Sequence, residues 1–155
     1  MSLYSAMAEI KKQIINIVEG LDSVGVVYPA EQPNPSQWPA VFITALDAQG
    51  EFSSNAENSR VYSYDVLILF PEGQDFVPES EASRLDYSER LVGSVIDEII
   101  NAIDTDFELE NSLPNNTTVL YTEAADCLWG RYEYEGGIAK AAQVTLRVYT
   151  EVTVV

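Results

Sequence analysis

Four carboxylates at alternate positions, Asp104, Asp106, Glu108 and Glu110, form the densest set of potentially reactive side chains in the sequence. Such spacing is what a hard cation needs when it gathers several oxygen ligands. The calcium-loop pattern then fails in two places: Leu109 stands where the sharp turn requires glycine, and Asn115 where the bidentate glutamate belongs. An acidic exit from a helix is the simpler reading, so no metal is expected. Cys127 is the single cysteine, flanked by Asp126 and Leu128 and followed by Trp129, with no cation or base nearby in sequence to draw out its thiolate. It reads as a buried or half-buried structural cysteine. Histidine is absent, which removes nucleophilic triads, HExxH zinc sites and any side chain that ordinarily titrates near neutral pH. Asp97 with Glu98, and Glu133 with Glu135, are carboxylate pairs of the kind that can divide acid and base roles, but charged helix and strand surfaces explain them. Neither GxGxxG nor GxxxxGK[ST] occurs. The expectation is a protein that is not an enzyme and has no cofactor.

A second group suits contact rather than catalysis. Tyr62 and Tyr64 fall on one strand face, Tyr132 and Tyr134 on another, and Tyr149 on the polar side of the last strand. Tyrosine buries a ring while keeping its hydroxyl hydrogen-bonded, which enriches it where proteins meet, although ordinary sheet packing also uses it. With Phe52, an aromatic in a polar stretch, and the cations Arg60 and Arg147, these residues form the expected subunit interface.

The formal charge is −17, from 25 acidic and 8 basic residues, so a phosphate backbone meets net repulsion and tight nucleic-acid binding is disfavoured. No Lys or Arg occurs between Arg90 and Arg131, which concentrates negative charge on one part of the chain. A length of 155 residues with 46% apolar content suits one domain, spanning 1–155, that buries a core without metal or disulfide. Lys11 and Lys12 interrupt the apolar positions near the N-terminus, unlike a secretory signal, and the longest strongly apolar run, Val66 to Phe70, is far short of the roughly 20 residues of a membrane helix. A soluble intracellular product is expected. The N-x-Thr patterns at Asn115 and Asn116 are then chance matches.

The elements follow from hydrophobic period. Leu3, Met7, Ile10, Ile14, Ile17 and Leu21 predict a first helix, capped by Ser2 and stopping near Gly20. Gly25 to Tyr28 predicts a short strand, and Pro29, Pro33 and Pro35 an extended loop ending at Trp38. Pro39 to Asp47 and Ser59 to Phe70 predict a hairpin whose polar tip runs from Gln49 to Asn58. Leu85, Val92, Ile96, Ile99 and Ile103 predict a second helix capped by Ser80 or Ser83, with Gly93 inside it to admit a close neighbour. Thr117 to Thr122 and Leu128 to Glu135 predict two strands, and Gly136 with Gly137 turns the chain into a last one. There Val144, Leu146, Val148, Val152 and Val154 alternate with Gln143, Thr145, Arg147, Glu151 and Thr153. The fold class is α+β: a mainly antiparallel sheet with two helices packed on one face and the other face free to pair with another subunit.

This layout resembles the tail terminator proteins of long-tailed bacteriophages, also described as tail completion or minor tail proteins. The resemblance lies in the Leu3 to Leu21 helix, the Trp38-Pro39 approach to the Val41 to Leu46 strand, the Gln49 to Asn58 tip, the long Arg60 to Phe70 strand, the Ser80 to Ile103 helix and the strand running to Val155. It implies a homo-oligomeric ring, a hexamer in that family, which caps the tail tube protein and presents a surface to the head connector in the neck. DNA would pass through without tight binding, and the protein would be made in the host cytoplasm and end in the virion at the head-proximal end of the tail. Two other readings are another neck or head-tail joining protein and a cytosolic ligand-binding α+β domain.

Overall fold

The computed structural model describes residues 5–31, 34–52, 57–71, 81–105, 113 and 117–153, with backbone alone for 51, 52, 57, 71, 81–88 and 153. Several sequence expectations lie outside the described residues: Ser2, Leu3, Pro33, the hairpin tip at 53–56, Ser80, Asp106 to Glu110, Asn115, Asn116 and Val154, together with the side chains of Phe52, Ser83 and Leu85.

The chain runs α1 (Ala6–Glu19), β1 (Val26–Tyr28), β2 (Ala40–Phe52), β3 (Glu57–Pro71), α2 (Glu81–Thr105), β4 (Thr117–Tyr134) and β5 (Gly137–Thr153). The strands form one sheet in the order β1-β2-β3-β5-β4, with β1 parallel to β2 and every other pair antiparallel. The fold is α+β.

Ser5 caps α1, its side chain accepting from the Ala8 amide at 3.2 Å, so the helix starts three residues beyond the expected Ser2 cap. Ile10, Ile14 and Val18 are the buried centre of its stripe, while Met7, Ile17 and Leu21 pack at the flanks. Val92, Val95, Ile96, Ile99 and Ile103 do the same for α2. Both helices lie on one sheet face, over Val41 and Ile43 of β2, Tyr62 to Ile68 at alternate positions of β3, and Val144, Leu146 and Val148 of β5. The alternation expected in the last strand holds, with Thr150 buried in the same series.

Three stretches of the sheet also differ from expectation. Most of the Gln49 to Asn58 stretch is strand, because Gln49 pairs with Val61, Gly50 with Arg60, Glu51 with Ser59 and Phe52 with Asn58. β5 pairs with β3 as far as Glu57, so the ladder satisfies the backbone there whatever the side chains' polarity. The two strands expected between Thr117 and Glu135 are one strand of 18 residues. Register shifts at Leu120 and Asp126 absorb one extra residue each, so that a segment whose alternation lapses still keeps its partner. The turn into β5 is Glu135-Gly136, with Gly137 at φ +145° opening the strand.

The face away from the helices is not wholly free, which corrects the expectation of a bare pairing surface. At one end Ala40, Phe42, Leu69, Ala139 and Ala141 form a second buried cluster beneath Tyr28, Trp38, Tyr132 and Tyr134. β2 and β4 are separated there by β3 and β5, about 14 Å at ordinary strand spacing, yet the rings of Phe42 and Tyr132 lie 6.1 Å apart. The small side chains of Ala139 and Ala141 leave room for the rings to lean together over the sheet. Trp38 meets Tyr134 edge-on at 5.1 Å. The loop that delivers Trp38 is anchored at Gly25, whose amide donates to the Pro39 carbonyl at 2.9 Å.

Candidate assembly surface

What this scaffold leaves uncovered is the other end of the second face and two sheet margins. Thr145, Arg147 and Tyr149 of β5 point there, beside Val61 and Ser63 of β3 and Leu46, Asp47 and Gln49 of β2, around an open trough of about 480 Å³. Tyr149 stacks on Tyr121 with centroids 4.3 Å apart and planes at 16°, and its hydroxyl donates to Glu123 Oε1 at 2.9 Å. That hydrogen bond is the main reason the Tyr149 phenol titrates above its ordinary value. Arg147 Nη1 stands 3.8 Å from the same carboxylate oxygen, half-exposed, which makes it a weak ion pair rather than a buried one.

Among the described residues the exposed large apolar side chains are Leu46, Leu120, Tyr121, Leu128, Trp129 and Ile138. None is on a helix: Leu46 sits at the β2 bulge, four are on β4, and Ile138 lies opposite Glu133 at the β4 end of β5. Trp129 also leans on α2, with Lys140 Nζ 5.5 Å from its ring centroid and 3.7 Å from Glu89.

The expected interface residues separate. Tyr62 and Tyr64 are buried under the helices, and the Tyr64 hydroxyl donates to the Met7 carbonyl at 2.6 Å, so neither reaches a partner; this corrects their assignment to the interface. Their strand face is the one that carries the core, and strand period alone does not say which face that is. Tyr132 and Tyr134 spend much of their ring surface on Phe42 and Trp38 of the same chain, with the Tyr132 hydroxyl donating to Glu31 at 3.4 Å. Burial, with the Glu31 charge second, raises the Tyr132 phenol's titration. Arg60 is exposed on β3 between Gly50 and Thr150, and its carbonyl accepts from the Thr150 hydroxyl at 2.9 Å. Phe52 closes β2 opposite Asn58. Only Arg147 and Tyr149 come together as a surface pair, at the trough.

Cys127 is exposed on β4, contrary to the expected buried or half-buried position: the Asp126 bulge sets it opposite Val144 on the edge strand, at the rim of the helix-covered face. Partial burial of its sulfur nonetheless pushes the thiol up, so thiolate is scarce at neutral pH. Leu46, Leu120, Leu128 and Trp129 went unrecognised as surface residues in the sequence, where apolar strand residues read as core. The one available signal was broken alternation, at Leu46 after Ile43 and again around Leu120.

Among the described residues no three His, Cys, Asp or Glu side chains converge as a metal site, and no described helix is long and apolar enough to cross a membrane. No protein-family model matches the chain, and no curated protein matches it.

Proposed function

We propose that this protein is a structural assembly protein that closes into a homo-oligomeric ring, in the manner of a phage tail terminator. It caps the tail tube protein, meets the head connector and performs no reaction. The observation that carries this reading is the concentration of exposed large apolar side chains at the margins and uncovered end of one sheet, while none of the described helix side chains is among them. A surface of that kind suits contact with other protein, as do the aromatic residues on it. A net charge of −17 suits a lumen through which DNA passes without tight binding. On this reading the protein is made in the host cytoplasm and resides in the virion at the head-proximal end of the tail.

Size-exclusion chromatography with light scattering tests the ring. The expected mass is about six times the 17.2 kDa of one chain, with rings visible by negative-stain microscopy of the same fraction. A chain that stays monomeric at every salt and protein concentration tried sinks the reading.

A further inference from the structure

The sheet has two open margins, and they match. β1 covers β2 only along Ala40 to Phe42, so from Ile43 to Phe52 no described strand lies beyond β2. At the opposite side β4 is the last strand. The ladders place these two margins at the same level: Phe52, Asn58, Val152 and Thr117 form one row across the sheet, and Thr44, Asp65, Thr145 and Ala125 another. The three antiparallel pairings between them make β2 and β4 run in opposite directions. A second copy, rotated about an axis along the strands without inversion, therefore brings its β2 antiparallel to the first copy's β4, continuing the alternation already present.

The chemistry of the margins agrees. Natural edges are usually guarded by Lys or Pro, yet neither occurs in Thr44 to Gly50 or in Thr118 to Ala125. Each margin has a bulge, and at each the extra residue is an exposed leucine, Leu46 at 51% and Leu120 at 44%. A bulge normally turns an edge away from partners; one tipped with leucine offers apolar area instead.

We infer that Ile43 to Phe52 of one subunit pairs with Thr117 to Ala125 of a second copy of this chain, making the sheet continuous from subunit to subunit. This rests on the ring reading above and names its contact. A different protein would cover one margin and leave the other open, whereas a second copy covers both in turn, which is the head-to-tail arrangement that closes a ring.

The test uses Leu46→Lys and Leu120→Lys, both at exposed positions, with circular dichroism to confirm the fold. Each variant alone is expected to weaken assembly on the order of tenfold or more. Mixed, they should form a dimer and stop, because one intact margin remains on each partner; the double variant should stay monomeric. Amide hydrogen exchange on the unaltered protein provides a check independent of the variants, with Thr44 to Gly50 and Thr118 to Ala125 expected to slow on assembly. Rings formed by both single variants as readily as by the unaltered chain, margin amides that exchange equally fast in ring and monomer, or folded variants that fail to dimerise when mixed each overturn the pairing but leave the ring. An unaltered chain that is monomeric in all salts overturns both.

Discussion

At the scale of single residues, two buried polar groups on β3 behave oppositely. Tyr64 is fully buried, and its hydroxyl is satisfied by the Met7 carbonyl, so one hydrogen bond ties the sheet to the first turn of α1. Tyr64→Phe removes that bond while keeping the ring, and is expected to lower stability by about 1 kcal/mol in chemical denaturation, without altering oligomer mass. Its neighbour Asp65 points to the other face, where Oδ1 is buried with no hydrogen-bond partner. Burial raises the Asp65 carboxyl above its ordinary value and Glu31 adds to this, against a hydrogen bond from Gln143 that lowers it. A carboxyl raised in the folded state contributes stability below its unfolded value that is lost as pH rises through the folded one. Asp65→Asn is therefore expected to be more stable than the unaltered protein at pH 7, the difference vanishing below the ordinary aspartate range. Denaturant midpoints at neutral and acid pH measure this, and a difference independent of pH would contradict it.

At the scale of elements, helices were the more legible because their stripes are long and regular: Ile10 and Ile14, and Val92 to Ile103, are buried where the spacing put them. Strand existence was legible too, most plainly in the alternation from Val144 to Val152. Strand length was not, since pairing partners decide it. Gln49 to Phe52 and Glu123 to Cys127 lack a strand-like pattern and are nevertheless held by β3 and β5. The candidate surface suffered most, because a period of two sorts side chains into two faces without naming the core face; Tyr62 and Tyr64 fell on the wrong side of that choice. Gly93 shows a related limit. Its expected neighbour is Trp129, but a Cβ at Gly93 would stand 3.9 Å from that ring, an ordinary contact, so no close approach requires the glycine. Gly93→Ala is thus expected to raise stability by about 0.5–1 kcal/mol through the chain's lost freedom when unfolded, read as a higher denaturant midpoint with unchanged slope. Gly25 is the contrasting case, where a Cβ would lie 2.5 Å from the Trp38 carbonyl oxygen and alanine should destabilise.

At the scale of the whole molecule, charge opposes what the sheet margins favour. Every copy carries −17, and the inferred contact brings carboxylates of both margins near one another, with Asp47 on β2 and Glu123 on β4. Apolar area and backbone pairing act at contact distance, whereas repulsion between copies acts over a range that salt sets, about 8 Å at physiological ionic strength and about 30 Å at 0.01 M. Assembly is therefore expected to strengthen as salt rises, with monomer prevailing at low ionic strength, and sedimentation velocity across a salt series measures it at fixed protein concentration. Divalent cations should act at lower concentration than sodium, because they screen more strongly for each ion. The opposite trend, rings that dissociate as salt rises, would mean that ion pairs hold the interface. Arg60, Arg131 and Arg147 would then be the residues to neutralise first. Such a result would mean that the apolar margins are not what holds the subunits together, because leucine contacts do not weaken with screening.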